Sequence, residues 1–348
     1  MVSSTWQRSC RDNCLPKESL GASGQTILNP PLIRSRPLPH PSGLVYVARV
    51  PSAPFCILGA LLAAALLSPA LSAEPDNSSS GKQESGRLNV SGSTVYYEEG
   101  GSGRAIVFLH DGLLSSVSWD EVWQPLAAKY HVIRYDRRGY GRSDSATRSF
   151  SPPDDLAKLL AHLKVEHAVV VGSSSGGALA IDFAIEHPEM VDGLFLIGPV
   201  LHGMEYSAEF RERSNRNNEP MVRGDVQAWA RNWSQDRFLI AGTNEEARRK
   251  IYDQLVANAE KLKMFDSGLE ENLSPPARER LAQIKTPTLI LEGEGDIADV
   301  HAQCRAIEAG VRGSELVVVK GAGHLIQLEK PDEVVERLEE FAERRARK

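Results

Sequence analysis

The sequence predicts an α/β fold: a mostly parallel, twisted sheet covered by helices on both faces, with a helical segment inserted into it. Three observations carry that prediction. From about Gly86 onward, short apolar runs of strand length alternate with stretches whose apolar residues recur at helical spacing. The runs are nearly continuously apolar, as strands buried on both faces require. The alternation then breaks between about Val200 and Ile284, a charge-rich stretch of helical pattern with no convincing strand.

Residues 87–90 and 94–98 flank Ser91-Gly92-Ser93 and read as a hairpin. Apolar runs at 105–109 and 131–135 enclose a helical stretch around 119–129. A helix is predicted over 154–163, with Pro152 and Pro153 at its entrance. The strand at 168–171 runs into Gly172-Ser-Ser-Ser-Gly176, and residues 177–184 behind it are helix-forming with an apolar stripe. Strands at 193–197, 288–291 and 316–319 complete the set. Within the interruption, 207–213, 226–233, 245–261 and 276–284 read as helices. The implied layout is a first core part at 87–199, a lid at 200–284 and a second core part at 285–348. The lid's Trp229, Trp233, Phe238, Leu239, Met264 and Phe265 either line a substrate pocket or seal the lid to the core.

With 348 residues, the chain has room for one large α/β domain or a core with an inserted lobe. Its 41% hydrophobic and 25% charged residues are ordinary for a soluble globular protein. A formal net charge of −6 is mild and leaves no footprint for nucleic acid, which would call for Lys and Arg clustered on one face. The basic run Arg344-Arg345-Ala346-Arg347-Lys348 ends a helix, where cations suit the macrodipole.

The first 73 residues read differently. As far as about Pro51 they are rich in Pro, Ser and Arg and lack periodicity. An apolar block at 55–67 follows, with Arg49 before it and small residues at 68–73 after it. That is the layout of a secretory signal, too short for a comfortable transmembrane span. An exported protein, periplasmic or secreted, is the expectation, with an uncleaved membrane anchor as the alternative. No Met lies between Met1 and Met190, so a start nearer the signal would use a non-Met codon, at Val45, Val47 or Val50. Residues 74–86 form a polar linker. Cys10, Cys14 and Cys56 all precede it, and Cys304 alone follows, so no intramolecular disulfide is predicted in the mature chain. The Cys10/Cys14 spacing lacks the second ligand pair of a metal site.

Small residues flanking Ser174 let a chain turn sharply from strand to helix and leave the central side chain exposed above the sheet. A serine hydroxyl needs a base within hydrogen-bond reach and a group to orient that base. His324 follows a strand and Gly321-Ala-Gly323, at the carboxyl edge where open α/β sheets carry their sites. Between the two in chain order, Asp296 follows the strand at 288–291 after a Gly-containing turn. Glu292, Glu294 and Asp299 compete with it for the acid role. Donors for a developing oxyanion are expected from the backbone N–H of Ser175 and from the loop His110-Asp111-Gly112-Leu113, through Gly112 or Leu113. His110 itself is expected to brace that loop.

Together these residues resemble the α/β-hydrolase superfamily, in its lidded serine esterase/lactonase-like branch. The matching segments are His110-Asp-Gly112, Asp136-Arg-Arg-Gly-Tyr-Gly-Arg-Ser-Asp144, Gly172-Ser-Ser-Ser-Gly176, Gly293-Glu-Gly-Asp296, and Gly323-His324 with Glu329-Lys-Pro331. The resemblance implies the α/β-hydrolase fold, a Ser174–His324–Asp296 triad, no metal or organic cofactor, and a lid that shapes specificity. It makes 136–144 a structural loop near the site. Two departures stand out: Asp111 directly after His110, where many relatives have Gly, and Ser175, where bulkier residues such as Met or Gln are common in relatives. The implied activity is cleavage of a small-molecule carboxylic ester or lactone through an acyl-enzyme. Carbon–carbon bond hydrolysis, amide cleavage and perhydrolysis use the same triad. A non-catalytic ligand-binding protein would show a damaged triad, and a serine in place of a carboxylate argues against halide and epoxide chemistry.

Overall fold

The computed structural model describes residues 83–263 and 268–346. The N-terminal extension, the signal-like segment, most of the polar linker, Met264 and Phe265 lie outside the described residues.

Strands β1 (Glu84–Asn89), β2 (Thr94–Gly100), β3 (Ala105–Leu109), β4 (His131–Asp136), β5 (Ala168–Ser173), β6 (Val191–Ile197), β7 (Thr288–Gly293) and β8 (Glu315–Val319) form one sheet. Its order is β1-β2-β4-β3-β5-β6-β7-β8. The first hairpin and the β2/β4 pair are antiparallel, and every later pair is parallel. The central strands β3, β5 and β7 are buried at every position, which is why they read as unbroken apolar runs.

Helices cover both faces. On one side α1 (Asp120–Ala127) and α10 (Pro331–Ala346) bring Trp123, Leu126, Leu338 and Phe341 against Ile106, Val169 and Phe195. On the other, α2 (Pro152–His162), α3 (Ser175–Glu186) and α8 (Ala298–Gly310) bring Leu156, Leu159, Ile181 and Ile307 against Val107, Val170 and Leu196. Ser151 caps α2 by accepting the Asp154 N–H at 3.2 Å, and its two prolines occupy the first turn, where their missing N–H groups leave nothing unsatisfied. A 3-10 turn at Ser116–Trp119 leads into α1, which lies within the helical stretch read around 119–129.

Between β6 and β7 lie α4 (Ala208–Val222), α5 (Val226–Ser234), α6 (Glu245–Lys263) and α7 (Ala277–Arg280). Ser207, Asp225 and Asn244 begin the first three by accepting the N–H groups of Phe210, Ala228 and Ala247. Trp229, Trp233, Ile251 and Leu255 form a separate apolar cluster that reaches Leu114, Tyr140, Leu325 and Leu328 of the core. The insertion is not wholly helical. Glu270 forms a parallel bridge to Phe150, and Phe150 exchanges backbone bonds with Leu269 and Glu271 at 3.0 and 2.9 Å. The partner is remote in sequence, so periodicity could not reveal it.

The parallel registers Leu109↔Gly172, Ser173↔Ile197 and Gly293↔Val319 align the carboxyl ends of the strands. The loops that follow β3, β5, β6, β7 and β8 therefore meet at one edge. A short helix, α9 (Ile326–Glu329), follows the last of them.

Candidate active site

At the end of β5, Ser174 adopts φ 54°, ψ −118°, a backbone conformation that costs a non-Gly residue about 1–3 kcal/mol. Neighbours hold it there. Its N–H donates to Ile197 O at 2.9 Å, and its carbonyl accepts from Val200 N at 3.0 Å. Gly176 has no alternative, since a Cβ there would stand 2.2 Å from the Leu109 carbonyl oxygen. The turn is tight because α3 starts directly against β3.

His324 enters from the loop after β8, and its Nδ1 lies 2.6 Å from Asp296 Oδ2. Both side chains are largely buried. Burial alone would lower the histidine's pKa, but the charge and hydrogen bond of Asp296 outweigh it and raise the pKa above its ordinary value. The competing acids are engaged elsewhere. Glu292 accepts from Arg305 at 2.7 Å, Glu294 from the Gly321 N–H at 3.0 Å, and Asp299 from Ser207. The insertion holds the histidine's backbone: His324 and Leu325 donate their N–H groups to the carbonyls of Phe238 and Leu239 at 2.7 and 3.0 Å. Glu329 ties the same two segments. Its carboxylate accepts from Gly323 N at 2.7 Å, Gly242 N at 2.7 Å and Ala241 N at 3.3 Å.

In the loop after β3, His110 is fully buried. Its Nε2 accepts the Arg137 N–H at 3.0 Å, so the proton sits on Nδ1, 2.8 Å from Asp111 O. Burial and the Arg137 charge lower its pKa to about 3, so the ring is a neutral brace. Asp111 Oδ1 accepts from Leu113 N at 2.8 Å and Leu114 N at 3.0 Å. This corrects one expectation: the Leu113 N–H is already donated within its own loop. Burial pushes the Asp111 carboxyl upward, against those two donors.

Ser174, Ser175, Gly112, Leu113, Asp296 and His324 all line one cavity. Of the insertion residues expected to line a pocket or seal the lid, Trp233 and Leu239 reach the cavity wall. Trp229 is buried in the packing, where its Nε1 and that of Trp233 both donate to Asn218 Oδ1 at 2.9 Å. Sequence reasoning missed a second histidine–carboxylate pair on this wall, His202 Nδ1 with Asp182 Oδ2 at 2.7 Å. A carboxylate seven residues after Ser175 on an otherwise apolar helix was the available signal. It also missed Arg137 and Arg213, two buried arginines that line the cavity. Arg213 donates to Asp236 at 2.8 Å.

A sharp serine elbow, a buried histidine–aspartate pair and a parallel sheet define the class of an α/β-fold hydrolase. The model of the alpha/beta hydrolase family matches residues 106–337, and the chain belongs to that family. It is 29% identical over 255 residues to a 2-hydroxy-6-oxo-6-phenylhexa-2,4-dienoate hydrolase of Comamonas testosteroni, covering 69% of this chain and 87% of that protein. It is 35% identical over 148 residues to an uncharacterised hydrolase of Bacillus subtilis (strain 168), covering 39% of this chain and about half (55%) of that protein. The structure resembles that of an N-acyl homoserine lactone degrading enzyme, with TM-score 0.61 and 27% identity, covering 74% of this chain and all of that one. Among the described residues, no helix is long and apolar enough to cross a membrane.

Proposed function

We propose that the protein is a serine hydrolase that cleaves a carboxylic ester or lactone of a small molecule through an acyl-enzyme on Ser174. The observation that carries this reading is the strained Ser174 turn on the same cavity wall as the His324–Asp296 pair. In this mechanism His324 takes the serine proton as Ser174 attacks the carbonyl, then returns it to the leaving group. Asp296 holds the imidazole in the tautomer that leaves Nε2 free to accept and stabilises the imidazolium. The backbone N–H groups of Ser175 and Gly112 receive the oxyanion. Water then clears the acyl group by the same route.

A fluorophosphonate probe tests the nucleophile. Wild type is expected to label and Ser174→Ala not to; equal labelling of the two refutes the assignment. A panel of p-nitrophenyl esters of graded chain length and several lactones then defines the substrate. The Comamonas relative supports a second reading, carbon–carbon bond hydrolysis. A 2-hydroxy-6-oxo-dienoate in the same panel, cleaved while all esters and lactones are left intact, would establish it in place of the first.

A further inference from the structure

We propose that the Ser175 hydroxyl is a third donor to the oxyanion and that Arg137 positions and polarises it. This rests on the serine-hydrolase reading above. Three arginines lie close together in the 136–144 loop, and two are paired conventionally. Arg138 binds Asp155 through two bonds of 2.5 and 2.7 Å, and Arg142 reaches Asp136 and Glu98, each at 3.1 Å. Arg137 differs from both. It is only 9% exposed, no carboxylate among the described residues lies within 4.0 Å of it, and its Nε has no hydrogen-bond partner. A buried cation with no carboxylate in contact is costly, so a negative charge arising beside it would be favoured.

Its contacts lead to the place where that charge would form. Arg137 Nη2 donates 2.9 Å to Ser175 Oγ and 3.0 Å to the backbone carbonyl of Asp111, while the guanidinium lies 4.7 Å from the Tyr140 ring centroid. Arginine has no acceptor, so Ser175 Oγ must accept that bond. Its own hydrogen remains available, and among the described residues it is donated to nothing. Ser175 Oγ also lies 3.1 Å from the point a Cβ on Gly112 would occupy. The hydroxyl therefore stands next to Gly112, whose N–H is one proposed donor, and on the residue that supplies the other. Ser175, Gly112 and Arg137 all line the cavity. Accepting a charge-assisted bond strengthens the donation a hydroxyl can make in turn. A side chain without a hydrogen-bond donor at this position could not offer that bond.

The test is the second-order rate of Ser174 labelling by a fluorophosphonate, whose phosphoryl oxygen gains charge as Ser174 Oγ attacks and fluoride leaves. No knowledge of the natural substrate is needed. Ser175→Ala is expected to label about 10²-fold more slowly, the usual loss for one oxyanion donor. Arg137→Met is expected to lose a similar factor. The double variant should label no more than about twofold below the slower single, because the two residues act through one hydrogen bond. On any ester the wild type turns over, kcat falls while KM stays nearly constant, a split that a merely structural role would not produce. Thermal unfolding checks the fold of each variant, and Ser175→Ala decides the matter if Arg137→Met does not fold. Ser175→Ala labelling at the wild-type rate overturns the third donor and leaves the serine-hydrolase reading standing. Independent, multiplicative losses in the double variant overturn the role given to Arg137. A wild type that does not label overturns both readings together.

Discussion

Gly198, at the end of β6, has φ +48° and sits beneath the His324–Asp296 pair. A Cβ there would stand 3.0 Å from His324 Nδ1 and 3.4 Å from Asp296 Oδ2. Gly198→Ala is therefore expected to lower kcat at least tenfold by displacing the imidazole, at a stability cost of about 1–3 kcal/mol for the positive φ. Unchanged kcat would show that the pair tolerates the methyl. The same pair sets the pH response. Its base must be neutral to accept a proton, and its pKa is raised, so kcat/KM is expected to fall as pH drops through a value above about 6.5. Asp296→Asn removes the charge that raises it. The acid limb then moves to lower pH, while the maximal rate drops by several orders of magnitude. Glu292→Gln should be mild, because Glu292 faces Arg305. The opposite ranking would move the acid role to Glu292.

On the scale of elements, the site depends on how the insertion grips the histidine loop. Glu329, in α9, accepts three backbone N–H groups, one from beside His324 and two from the segment between α5 and α6. Removing the carboxylate leaves those donors without a partner, at about 1–3 kcal/mol for each that stays buried. Glu329→Ala is expected to lower the thermal midpoint and reduce kcat together, with Glu329→Gln recovering part of both through its amide oxygen. A stability loss without any loss of kcat would separate the clamp from the role proposed for His324. The elbow is likewise a property of elements: Ser174 keeps its strained backbone because β6 holds it and α3 has no room to shift against β3.

For the molecule as a whole, the sheet separates two large apolar layers, with a third cluster beneath the insertion. Cys304, on α8, is fully buried in the first layer, and burial pushes its thiol pKa upward. In a chain whose Cys10, Cys14 and Cys56 are replaced by Ser, a thiol reagent should modify Cys304 only across the denaturant transition. Rapid modification in native buffer would mean that α8 opens without global unfolding.

Much of this architecture was legible in advance because its causes are local. Strands buried on both faces produce unbroken apolar runs, and the elbow needs small residues within five positions. What was hidden has causes far apart in the chain. Phe150 meets Glu270 across more than a hundred residues, Glu329 reaches back to Ala241 and Gly242, and Asp182 finds His202 only because α3 runs under the loop after β6. By itself the sequence determined the alternating fold, the helical interruption and the chain order Ser174…Asp296…His324. Periodicity, capping and turn chemistry are properties of neighbouring residues. Only the tertiary structure decided which of four carboxylates meets His324, that the Leu113 N–H is already engaged, and that Arg137 lies buried with no carboxylate of the described residues in contact while Arg138 and Arg142 are paired. Hydrogen bonding and desolvation depend on which distant groups the fold brings within a few ångströms, and no local pattern encodes that.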